Sequence, residues 1–165
     1  MRKPPSDTLI EIDNGDVVLS TFMLFVQTAQ LVLKYVDAYL YRKARLWVSK
    51  LIVLKAIASS GGAMVPSDIA RWTNTERHNI TALVGRMKKE GLVTAERDSD
   101  DRRRVNIKLT AKGRKVLSQA MPVAKEVVGQ VMSSITEGDA AMLKEKLTIL
   151  RLNAHHGLEA LARGI

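Results

Sequence analysis

The sequence predicts a mainly α-helical fold carrying one small β-hairpin wing. Apolar residues recur at three- and four-residue steps through most of the chain, the mark of amphipathic helices. Strict apolar–polar alternation marks Val105-Asn106-Ile107-Lys108-Leu109 as a half-buried strand. Helix punctuation is regular, with Gly61-Gly62, Pro66 and Gly91 falling between the periodic stretches. A length of 165 residues with 46% hydrophobic residues suits one domain, or one domain with a helical appendage.

Residues 1–16 read as a flexible arm. From Val17 to about Ala44, Phe22, Phe25, Val26, Ala29, Val32, Leu33, Val36 and Leu40 form a helical stripe without Gly or Pro. Val17 to Leu33 carries no charge but is slightly short for a membrane span, and Ser20, Thr21, Gln27, Thr28 and Gln30 interrupt it. A buried helix of a protein or dimer core is expected there. A second helix covers Ser49–Ser59 and stops at Gly61-Gly62. Pro66-Ser67 opens a third, with Ser67 as N-cap and Ile69, Ala70 and Trp72 on its buried side. After the turn Thr73-Asn74-Thr75, a fourth helix runs from Glu76 to Glu90 with Ile80, Leu83, Val84 and Met87 inward and Gly91 as its stop. Two short helices joined by so short a turn are the pattern of a helix-turn-helix. Leu92–Arg97 and Val105–Leu109 then form a hairpin around the charged turn Asp98–Arg104. A hairpin directly after a helix-turn-helix is the wing of a winged-helix domain. Thr110 caps a helix through Val116, Leu117, Ala120, Val127, Val128 and Val131, which Pro122 is expected to bend. Thr136-Glu137-Gly138-Asp139 has a capping-box form and opens a last helix to about Ala162, with Leu143, Leu147, Leu150 and Leu161 inward.

Charge narrows the partner. The net charge is +9, and residues 42–115 alone hold 18 Lys and Arg against 7 Asp and Glu. A basic block confined to the middle of the chain favours a polyanion. Aromatics at 4% argue against a base-stacking platform for single strands. The fourth helix presents Arg77, His78, Asn79, Thr81 and Arg86, and Arg and Asn are the side chains that read purine edges in the major groove. The consecutive arginines Arg102, Arg103 and Arg104 suit the narrow, negative minor groove. Ser67, opening the third helix, joins this set of expected DNA-binding residues.

The run Arg97 to Gly113, RDSDDRRRVNIKLTAKG, resembles the wing signature of the MarR family of bacterial transcriptional regulators. The family's Asp-x-Arg falls on Asp101 and Arg103, and its Leu-Thr-x-x-Gly on Leu109, Thr110 and Gly113. His78 to Val93 is similar to the family's recognition helix, with Glu76 standing where many members have a Ser or Thr cap and Gly85 where many have Asp. The resemblance implies a homodimer, a winged helix-turn-helix over 45–109 and a helical dimerization region from 17–44 and 110–165. It implies binding to a pseudo-palindromic duplex, repression or sometimes activation of nearby genes, and small aromatic ligands that alter DNA affinity. Tyr35, Tyr39 and Trp47 are the candidate pocket residues, although aromatics at helical spacing also serve as plain core.

Other chemistries find little footing. The absence of Cys removes disulfides, thiolate zinc sites, thiol-oxidation sensing and cysteine nucleophiles. His155 and His156 are adjacent, so on a helix they point about 100° apart and do not form a metal pair. No metal, cofactor or enzyme activity is expected, nor a membrane partner, and the chain reads as cytoplasmic. The competing reading is an architectural or protein-interaction module that binds nucleic acid without sequence choice.

Overall fold

A computed structural model describes residues 15–97 and 105–164. Its order is α1 (Val17–Ala44), α2 (Val48–Ser59), β1 (Ala63–Met64), α3 (Pro66–Thr73), α4 (Arg77–Lys89), β2 (Val93–Arg97), β3 (Val105–Leu109), α5 (Ala111–Val131) and α6 (Glu137–Ala162). The fold class read from the sequence is the one observed. The chain forms two compact units, one up to Val128 and the other from Gly129.

In the first unit, Leu54, Ile57, Ile69, Ile80, Met87, Val93 and Ile107 are fully or almost fully buried and form the centre of the core. They come from α2, α3, α4 and the sheet, so the helix-turn-helix and the wing share one core. The sheet order is β1-β3-β2, all antiparallel, with Ala95 opposite Ile107 and Met64 on its other side. The hairpin was legible in the sequence, but β1 was not. Two residues are too few for a period to show, and only pairing with β3 makes them a strand.

The helix ends account for most of the local differences. α1 starts on Asp16, whose carboxylate accepts from the backbone N–H groups of Val18 and Leu19 at 2.9 and 3.1 Å. Asp16, read as the end of the arm, thus serves as the cap of α1. α2 begins at Val48 and has no cap of its own; instead Asp37 of α1 accepts from Val48 N at 2.7 Å. Ser67 is not the cap of α3: Val65 occupies that position, Pro66 is the first helical residue, and no side chain caps the end. Trp72 is 52% exposed: Ile69 and Ala70 turn to the core, and Trp72, about 60° from Ile69 but about 160° from Ala70, falls off the edge of the buried arc. Asn74 takes the left-handed conformation that closes α3, with Thr75 N donating to Ala70 O at 2.9 Å. α5 continues through Pro122 as one helix. At α6 the Thr136 hydroxyl accepts from Asp139 N at 3.2 Å but donates to the Asp139 carboxylate at 2.6 Å, so only half of the capping box forms.

The long helices leave most of their apolar surface open in the single chain. Of α1 only Leu40 is buried, and of α6 no residue. Phe22, Phe25 and Leu33 of α1, and Leu143, Leu147, Leu150 and Leu161 of α6, are exposed in the single chain. A second apolar row, Met142, Ile149 and Leu152, lies on another side of α6 and is exposed as well. α1 spans 28 residues and is long and apolar enough to cross a membrane, a longer element than its uncharged segment suggests.

The junction of α4, β2 and α5 leaves no room for a side chain at Gly113. A Cβ on Gly113 would stand 2.0 Å from the Leu92 carbonyl oxygen. Gly113→Ala should therefore destabilise by about 3 kcal/mol, against the gain of about 1 kcal/mol that alanine brings to an ordinary helix position. Urea unfolding of the two proteins measures this directly. Asp37→Ala, which removes the borrowed cap of α2, should cost about 1 kcal/mol in the same assay.

Candidate nucleic-acid interface

α4 is held by its apolar stripe, Ile80, Leu83, Val84 and Met87, all buried. Its exit is a complete helix stop. Gly91 adopts φ 71°, Gly91 N donates to Lys88 O at 3.0 Å, and Leu92 N donates to Met87 O at 2.9 Å. Thr110 locks that exit to α5. Its hydroxyl donates to Gly91 O at 2.7 Å and accepts from Gly113 N at 2.9 Å, while its N–H donates to Leu92 O at 3.1 Å. The start of α4 is plainer: Glu76 holds the cap position without a side-chain bond.

The outward residues of α4 divide between two concavities. On the wing side, a groove of about 680 Å³ lies between the start of α3, α4 and the hairpin. Ser67, Arg77, Thr81, Gly85 and Lys88 line it, with Ala95, Val105 and Ile107 as its wing wall. On the other side, a cleft of about 540 Å³ is bounded by α1, α2, the α3–α4 turn and α4. Asn79 and Arg86 line this cleft with Leu33, Lys34, Asp37, Ser49, Ile52 and Thr75. At about 100° per residue, the exposed His78 falls between the two sets. The expected reading set is thus gathered on one helix but spread over a wide arc. Thr81 also bonds back to Arg77 O at 2.9 Å, which turns its hydroxyl hydrogen inward.

Lys88 completes the wing-side groove; the sequence shows it as an exposed residue of the fourth helix beside Arg86, but it was not singled out with the DNA-binding set. The cleft residues Leu33, Lys34 and Asp37 were also missed; a lone basic–acidic pair at i, i+3 on an apolar helix was the available sign. Tyr35, Tyr39 and Trp47 are not among the residues lining the cleft. Tyr39 donates to Glu126 of α5 at 2.5 Å and meets Tyr35 edge-on at 6.0 Å, while Trp47 stacks on Tyr41 at 4.4 Å. Arg102, Arg103 and Arg104 lie outside the described residues. Among the described residues no cluster of three metal-ligating side chains occurs.

The hairpin's outer face is tied by charge. Lys108 donates to Glu96 at 2.7 Å across the strands, and Thr94 approaches the same carboxylate at 3.4 Å. The hydrogen bond and charge of Lys108 hold the Glu96 carboxyl below its usual value.

Residues 48–104 match the MarR family model. The chain is 31% identical over 103 residues to the transcriptional regulator HosA of Escherichia coli, covering 62% of this chain and 76% of that protein. It is 26% identical over 82 residues to the transcriptional repressor YetL of Bacillus subtilis, and 34% over 77 residues to the transcriptional activatory protein BadR of Rhodopseudomonas palustris. These two matches cover 50% and 46% of this chain and span about half of each relative, 49% and 44%. Among solved structures, the organohalide-sensing regulator RdhR in its 2,4-dichlorophenol-bound form superposes with a TM-score of 0.78 at 26% identity, covering 92% of this chain and 89% of that one. Sco3205 of Streptomyces coelicolor, a MarR family regulator solved in complex with DNA, gives 0.75 at 24% identity over 79% of this chain and 83% of that one.

Since the Glu96 carboxyl is depressed in the folded state, the pair's support for the hairpin is present above the ordinary carboxylate range. It is lost as pH falls through the folded value. An NMR titration should place Glu96 below a free glutamate, and Lys108→Met should return it to the usual range. On the features of its interface and on these matches, the chain belongs to the MarR family of transcriptional regulators.

Proposed function

We propose that this protein is a homodimeric, sequence-specific DNA-binding repressor whose hold on its operator is relieved by a small aromatic ligand. The observation that carries the reading is α4 itself, a helix with a complete stop and exposed Arg77, His78, Asn79, Thr81 and Arg86, in the basic part of the chain and with a wing on one flank. In this reading α4 enters the major groove, Arg77 and Asn79 read bases, and Ser67, Thr81 and Arg86 serve as further DNA contacts with His78. Arg102, Arg103 and Arg104 reach the adjacent minor groove. The DNA-binding domain is 45–109, with 17–44 and 110–165 as the dimerization region. The operator is then a pseudo-palindrome whose half-sites lie about 34–36 Å apart.

The second copy is supported by the uncovered apolar rows of α1 and α6, a surface larger than a monomer leaves in water. A membrane is the competing cover for α1 on length and composition, and family membership favours the dimer. The ligand reading rests on the cleft beside α4, where Lys34 and Arg86 supply positive charge over the apolar Leu33 and Ile52. RdhR, which was solved with 2,4-dichlorophenol, supports an aromatic occupant. Tyr35, Tyr39 and Trp47 do not line this cleft, which is the pocket taken in this reading. To weaken DNA binding a hundredfold, a ligand must favour the non-binding form by roughly 2.7 kcal/mol.

Binding of a selected duplex and a random duplex at one salt concentration tests the core of this reading, with an affinity ratio of about 10³ or more expected. Asn79→Ala should lower discrimination at one half-site position by roughly 1–3 kcal/mol, and Arg103→Ala should weaken all duplexes without unfolding the protein. Sedimentation at micromolar concentration without detergent should give a dimer. Salicylate should release the selected duplex, and Lys34→Met should abolish that response while leaving DNA affinity intact.

A further inference from the structure

The C-cap residue of α4 carries the wrong charge for its place. A helix C-terminus favours cations, yet Glu90 follows Lys88 and Lys89 at the C-cap of α4. The fold answers it from two other helices. Lys50 of α2 approaches both carboxylate oxygens of Glu90, at 2.6 and 2.7 Å. Lys112 of α5 donates to the Glu90 carbonyl at 2.8 Å. The Lys50 side chain is only 16% exposed, while Glu90 is 44% exposed. With Glu90 partly open to water, the pair adds little stability, and what it fixes is geometry: the near-buried Lys50 ammonium holds the end of α4 against α2.

α4 is anchored asymmetrically. Its exit is fastened by Lys50, Lys112 and Thr110, whereas its start has no side-chain cap and is held through Ile80 and the core. The residues proposed to read bases, Arg77 and Asn79, sit at that start. A 13-residue helix is about 20 Å long, so a tilt of about 5° at the anchored end moves the start by about 1.7 Å. Hydrogen bonds to base edges tolerate only a few tenths of an ångström.

We propose that the Lys50–Glu90 ion pair sets the pose of the recognition helix, which makes Lys50 a positioning residue for base reading. The inference rests on the proposed reading of DNA by α4. The pair lies at the far end of the helix from the reading residues and acts on them through helix orientation. Loss of the pair lowers sequence preference more than general DNA affinity.

The test uses a duplex that the full-length wild-type protein selects from a random-sequence pool, compared with a scrambled duplex at one fixed salt concentration. Lys50→Met with Glu90→Gln removes the pair at constant net charge. Affinity for the selected duplex should fall by about tenfold, as for one misread base pair, while affinity for the scrambled duplex changes by less than about twofold. Lys50→Arg should keep the wild-type preference, and the exchange Lys50→Glu with Glu90→Lys should recover most of it. Undiminished preference in the neutral double variant overturns the inference and leaves the functional reading standing. An equal loss on both duplexes also overturns it, since that is the result of general destabilisation. If the neutral variant does not fold, the exchange variant decides, and its failure to recover preference counts against the pair. A wild-type protein that prefers no duplex removes the functional reading and the inference together.

Discussion

The close approach of Gly113 to the carbonyl of Leu92 is the contact on which the arrangement of the first unit depends. A residue with any side chain at that position would overlap a backbone oxygen, and a backbone oxygen has no rotamer by which to move aside. The approach lets Thr110 reach both Gly91 and Leu92, so the end of α4, the start of β2 and the start of α5 meet at one point. That point is also where the left-handed Gly91 turns the chain from helix to strand. α4 therefore ends against a fixed stop, and α5 departs from the same stop.

From this junction follows the two-sided character of α4. Its core-facing stripe leaves an exposed arc wide enough to border two hollows, the wing-side groove and the cleft against α1 and α2. α2 takes part in both holding and bordering the helix: Ser49 and Ile52 face the cleft, and the neighbouring Lys50 grips the end of α4. The Asp37 carboxylate ties the start of α2 back to α1 by accepting from Val48 N–H, so these three helices form a connected series. Polar contacts of this kind contribute modestly to stability, and their value lies in fixing orientation.

The apolar surface of α1 and α6 sets a separate constraint. Water does not tolerate so large an uncovered area in an isolated chain. The low amphipathicity of α6 has a simple origin, since apolar rows on two sides cancel one another around the helix. A helix of that kind needs covering from two directions, which a single neighbouring face cannot supply. For α1, Phe22, Leu24 and Leu31 spread around the helix to the same effect.

The order and type of the long elements were legible in the sequence alone, because helix period, strand alternation and the stops at Gly61-Gly62 and Gly91 are local properties of the chain. The core of α4 was legible for the same reason: Ile80, Leu83, Val84 and Met87 keep one face whatever the surroundings. What period cannot say is which apolar face finds cover, and so Trp72 and the leucines of α6 were read as inward and stand outward in the single chain. Caps were partly legible: the sequence shows those at Thr110 and Thr136, places Asp16 in the arm and offers Ser67 as a cap where Val65 stands, while the partner of the α2 start, Asp37, was illegible because it comes from another helix. The site divides in the same way. Its residue types were readable from charge and spacing on one helix, but the parting of Asn79 and Arg86 from Arg77 and Thr81 was decided by what packs on either flank of α4. A sequence specifies the angle of a side chain about its own helix; only the neighbouring elements determine the hollow into which that angle opens.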